Sequence, residues 1–69
     1  MDGEAFKAFL FNLELAVAAA ESADPACAEA AYLDASFAAG DAFPLGSPES
    51  AALGVLLDAV EPMAKGAAA

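Results

Sequence analysis

One thiol, eleven carboxylates, four serine hydroxyls, one phenol and two ammonium groups are the reactive side chains of this 69-residue sequence. Cys27 follows an Asp24–Pro25 helix start, where free N–H groups and the helix dipole can lower a thiol pKa. No basic residue adjoins it and Asp24 opposes its ionisation, so it reads as a small side chain among alanines. A divalent-metal site or an acid/base pair needs several carboxylates to converge. Here no run alternates acids with a turn glycine as a calcium loop does. Asp2, Asp24 and Glu49 are explained by helix starts, and most other acids by solvated helix faces. Asp34 is different, because it falls near the apolar side of its helix, where it would meet a partner's Lys or Arg. Ser22, Ser36, Ser47 and Ser50 have no histidine to activate them, and nothing brings Lys7 or Lys65 to them. The expectation is a protein with no catalytic residue, no metal and no cofactor.

What the composition lacks narrows the function further. There is no His, Arg, Trp, Thr, Ile or Gln. A nucleic-acid binder must neutralise several phosphates, and two lysines against eleven carboxylates, net charge −9, argue against direct DNA or RNA binding. One cysteine permits no internal disulfide and too few zinc ligands. Residues 5–20 look superficially like a secretion leader, but Asp2 and Glu4 stand where basic residues belong, and Lys7, Asn12 and Glu14 interrupt the run. The same run is too short and polar to span a bilayer, and a chain this acidic is repelled by anionic lipid. The expectation is a cytoplasmic protein that does not engage membranes. Its alanine content is that of a GC-rich coding sequence, as in bacteria or phage.

Alanine also shapes the core. The nominal 61% hydrophobic content includes 22 alanines, and Leu, Ile, Val and Phe together make only 16 of 69 residues. A chain this short gains about 3–5 kcal/mol from a single core at best. Marginal stability as a monomer follows, with a partner or a second copy completing the core.

Only three residues are β-branched, all valine, so the reading is all-α: a small three-helix bundle with helices over about 3–22, 25–39 and 48–61. It forms a single domain over 1–65, with 66–69 as a frayed tail. Asp2 caps the first helix. Asp24 with Pro25, and Ser47 with Pro48, start the other two. Gly40 reads as the stop of the second helix, and Pro62 as the kink or end of the third. The linker GDAFPLG carries Phe43 and Leu45, which should pack onto the bundle.

At about 100° per residue the first helix is apolar on two sides. Phe6, Phe9, Leu10, Leu13 and Val17 make one arc, an ordinary core face. Phe11 and Leu15 lie nearly opposite, with Ala8, Ala18 and Ala19 beside them permitting close approach. On the second helix Ala26, Ala30, Leu33 and Phe37 read as the buried stripe, with Glu29, Tyr32 and Ser36 wet. On the third, Ala52, Leu53, Leu56, Leu57 and Val60 read as buried, and Ser50, Gly54, Asp58, Glu61 and Lys65 as exposed.

The function expected is non-catalytic protein–protein interaction, as an adaptor, cochaperone or regulator. Its interface would comprise Phe11, Leu15, Ala8, Ala18 and Ala19 with Asp34, unless Phe43 and Leu45 cover that stripe. Two alternatives stand beside it. One is an acidic inhibitor that mimics nucleic acid and blocks a basic protein surface. The other is an alanine-rich structural subunit of a homo-oligomer or larger assembly.

Overall fold

The computed structural model describes residues 2–66 and consists of three helices, α1 Gly3–Glu21, α2 Pro25–Ala42 and α3 Pro48–Gly66, packed as a bundle. Each start is built by the residue expected. Asp2 Oδ1 accepts from the backbone N–H groups of Glu4 and Ala5, and Asp24 Oδ1 accepts from that of Cys27. Ser47 Oγ accepts from Ser50 N–H at 3.1 Å and donates to the Pro44 carbonyl at 2.7 Å, tying the linker to α3. Such caps satisfy N–H groups that the helix leaves unpaired.

The α1–α2 turn is tight. Asp24 N–H bonds the Ala19 carbonyl and Ala23 N–H the Ala20 carbonyl, the paired closure that ends many helices with a left-handed residue. Ala23 takes that conformation, φ 56°, where glycine is the usual occupant.

Two helix ends differ from expectation. Gly40 does not stop α2, which runs on to Ala42. A glycine ends a helix by turning left-handed, and Gly40 does not, whereas Gly46 in the linker does. The extra turn buries Ala42 beside Phe9, and the Ala42 carbonyl accepts from Asp2 N–H at 3.1 Å. That packing outweighs the roughly 1 kcal/mol that a helical glycine costs. Pro62 does not end α3, which continues to Gly66. Pro62 and Asp58, whose carbonyl loses its helical donor, are both exposed, so water can satisfy that carbonyl. The turn beyond Pro62 buries Ala64 against Ala19 and Ala28. Of the tail read from the sequence, Gly66 therefore closes α3, and 67–69 lie outside the described residues.

The core is made mostly of methyl groups. Phe9 is fully buried against Ala35, Ala39, Ala42 and Leu53. Ala16, Ala31 and Val60 form the middle layer, and Ala19, Ala28 and Ala64 the layer at the α1–α2 turn. This overturns the expected facing of α2. Its inward stripe is Ala28, Ala31, Ala35, Ala39 and Ala42, while Leu33 and Phe37 point out, Phe37 with 74% of its surface in water. Ala26 and Ala30 are exposed as well, and Tyr32 and Ser36, expected wet, are half-buried. Small side chains let α1 and α2 run close along their length, and theirs is the most extensive helix pairing. A Leu and Phe stripe in that seam would hold the helices apart. Three further residues depart from expectation. Leu10 on α1 and Leu56 on α3 were expected inside and are about half exposed, and Ala52 is exposed.

Of the linker, Phe43 packs as expected, edge-on to Phe6 with ring centroids 5.8 Å apart. Leu45 does not pack, with 85% of its surface exposed.

Two phenylalanines therefore have opposite expected behaviour. Phe9→Ala should cost about 3–5 kcal/mol and unfold so small a core. Phe37→Ala should shift the urea midpoint little, and equal losses at both sites would contradict this facing of α2. A Cβ at Gly40 would meet nothing within 4 Å. Gly40→Ala should accordingly stabilise by roughly 0.5–1 kcal/mol and raise the melting temperature by several degrees, read by circular dichroism.

Candidate interaction surface

The described residues enclose no pocket, and no three His, Cys, Asp or Glu side chains among them converge as metal ligands would. No helix among them is long and apolar enough to cross a membrane. Cys27 is half-buried beside the Ala19, Ala28 and Ala64 layer. The flanks of the three helices define three outer faces.

The α2–α3 face is polar. Tyr32 Oη donates to Glu61 Oε2 across the two helices at 3.4 Å, and Lys65 Nζ donates to the same oxygen at 3.0 Å. That hydrogen bond, then the Glu61 charge, raises the Lys65 pKa above the ordinary lysine value, with Tyr32 and Glu29 adding smaller pulls. The pair is solvent-exposed and adds little to stability. What it adds is present at neutral pH and lost as pH rises through the raised lysine value. Ser36, Gly40, Gly54 and Asp58 fall on this side by helical phase.

The other two faces both border α1. Val17 packs with the Ala16, Ala31 and Val60 layer, which marks the flank of α1 turned toward α3. Leu10 lies on that flank, and Leu56 and Met63 lie on the flank of α3 opposite Glu61. All three are between two-fifths and one-half exposed. The result is an apolar strip between α1 and α3, the least extensive helix pairing of the bundle.

The opposite flank of α1 carries Leu15 and Ala8, with Phe11 further toward the outside. Phe11 is 66% exposed, Leu15 38% exposed and Ala8 half-buried. Across the seam, the flank of α2 turned away from Tyr32 carries Ala38 and Asp34, with Asp41, Ala30 and Phe37 further outward. The layers place Ala16 beside Ala31 and Ala19 beside Ala28, an antiparallel register. Continued along the helices, it sets Phe37 level with Leu10 and Phe11, Asp34 level with Leu13, and Asp41 level with Phe6. Asp34 thus stands on the far bank between the levels of Phe11 and Leu15. Glu4 lies on the same flank of α1 at the Asp41 end. Phe43 packs on Phe6 instead of crossing to this face.

Of the residues singled out from the sequence, Phe11, Leu15 and Ala8 share one flank of α1 by helical phase, and Asp34 lies on the flank of α2 turned away from Tyr32. Ala18 is exposed and directed away from Phe9, at the outer margin of α1. Ala19 is a correction: it is buried against Ala28 and Ala64, because the α1–α2 turn brings the two helices together there. Phe37 was missed as a surface residue. A signal for it exists in the alanines at 28, 31, 35, 39 and 42, which keep helical spacing over more turns than the Ala26–Phe37 stripe. Comparisons with protein-family models, with curated proteins and with solved structures found no match.

Every carboxylate of the described residues is exposed or half-buried, so the chain repels itself. Raising salt from about 0.1 M to about 1 M shortens the Debye length from about 10 Å to about 3 Å. The melting temperature should rise over that range, and a fall would show that net repulsion is not a destabilising force here.

Proposed function

We propose that this protein works without catalysis, by binding another protein chain through the apolar faces that border α1, as an adaptor or regulator does. One observation supports this above the rest. The interior is built from alanines, while Phe11, Phe37, Leu10, Leu33, Val55 and Leu56 are left outside. Burying an alanine removes one methyl from water, worth about 0.8 kcal/mol, whereas a Phe or Leu is worth about 1.5–3 kcal/mol. A large share of the apolar surface of these side chains therefore stays in water in the isolated chain. Contiguous apolar surface rimmed by polar residues is the usual mark of an interface.

Light scattering over a dilution series, with far-UV circular dichroism on the same samples, tests the reading. The expected outcome is either an assembly that loses helix as it dissociates or a monomer of low helix content. In the first case Phe11→Asp and Leu15→Asp should each break the assembly at concentrations where the parent holds. A fully helical monomer at every concentration would overturn the reading, since the faces would then need no cover.

A further inference from the structure

We infer that the α1–α2 face is a seat for a cationic amphipathic helix of another protein. This rests on the interaction reading above and names the chemistry of its partner. The face combines two features. Phe11, Leu15 and Phe37 are exposed on either side of the half-buried Ala8 and Ala38, giving large apolar contacts on two banks with small residues between them. Such a trough suits a helix that presents apolar anchors at i, i+3, i+4 and i+7. Among these anchors the charged groups are mainly negative. Asp34 and Asp41 line the α2 bank and Glu4 the α1 bank, all exposed. The two lysines leave an excess of negative charge there. Lys65 is paired with Glu61 on the α2–α3 face, and Lys7, one turn from Glu4 and Phe11 at the outer edge of α1, offsets one of the three carboxylates.

Charge decides between the possible occupants. A second copy would bring another Asp34, Asp41 and Glu4 against the first, and two chains of net charge −9 together. Like charges set across an interface are costly, whereas a positive patch is steered to a negative one and held in register. An anionic lipid surface is repelled for the same reason. A helix with Leu-type anchors flanked by Lys or Arg satisfies both the apolar trough and its carboxylates.

The test uses the full chain and two fluorescently labelled synthetic peptides of about 18 residues, long enough to run along α1. Both carry Leu at the i, i+3, i+4, i+7 positions, and the rest are Lys in one and Glu in the other. Anisotropy titration at about 0.1 M salt should show binding of the Lys peptide and none of the Glu peptide. Asp34→Asn with Asp41→Asn should weaken binding about fivefold or more, as two lost charge pairs imply. Glu29→Gln with Asp58→Asn, an equal charge change on the α2–α3 face, should weaken it no more than about twofold. Phe11→Ser with Phe37→Ser should weaken it about tenfold or more, as loss of central anchors does. Equal weakening by both carboxylate pairs would mean nonspecific attraction and overturn the assignment. So would binding that is indifferent to the Phe changes. No binding of the Lys peptide, while Phe11→Asp still breaks an assembly in the dilution series, would overturn the cationic helix and leave the interaction reading standing.

Discussion

The close approach of α1 and α2 is the constraint on which the rest of this structure depends. It exists because Ala16 and Ala19 meet Ala28 and Ala31, with Ala35, Ala39 and Ala42 receiving Phe9. A methyl-lined seam brings backbones together, but it returns little hydrophobic free energy per residue. Everything large must then go elsewhere. Phe9, Leu53 and Val60 fill the places where α3 crosses the pair, and the remaining Leu, Phe and Val side chains are half-buried or turned outward. The apolar exterior is thus a geometric consequence of the alanine interior.

That consequence gives the molecule its asymmetry. The α2–α3 side holds the inter-helix hydrogen bond and the ion pair, and it is finished in water. The two sides bordering α1 instead expose Leu10, Phe11, Leu15, Leu56 and Met63, and α1 is the helix whose sequence is apolar on both flanks. A small domain stabilised in this way has little margin, since its own core supplies only a few kcal/mol against backbone ordering entropy. Cover on either side of α1 would supply what the interior lacks, so folding and binding would be linked.

Much of the framework was legible along the chain. Asp2, Asp24 with Pro25, and Ser47 with Pro48 mark the helix starts, because capping is a local matter between one side chain and N–H groups two or three residues on. The ends were less legible. Gly40 and Pro62 carry local stop signals, yet both are passed over, since Ala42 and Ala64 gain burial beyond them. The grouping of Phe11, Leu15 and Ala8 on one flank also follows from helical spacing alone. That Asp34 shares their face depends on the antiparallel register, and Ala19 was misplaced because its surroundings come from the α1–α2 turn.

By itself the sequence determined an all-α bundle, the three helix starts, the acidic surface and a first helix with apolar residues on two sides. These rest on composition, capping and period, which act within a few residues. Only the tertiary structure decided which stripe of α2 faces inward. Two stripes of similar period competed there, and hydrophobicity favoured Leu33 and Phe37. Packing chose the alanines, because the distance between α1 and α2 is set jointly by side chains of both helices. No single helix holds that information, and from it follows the position of Phe37 beside the α1–α2 face.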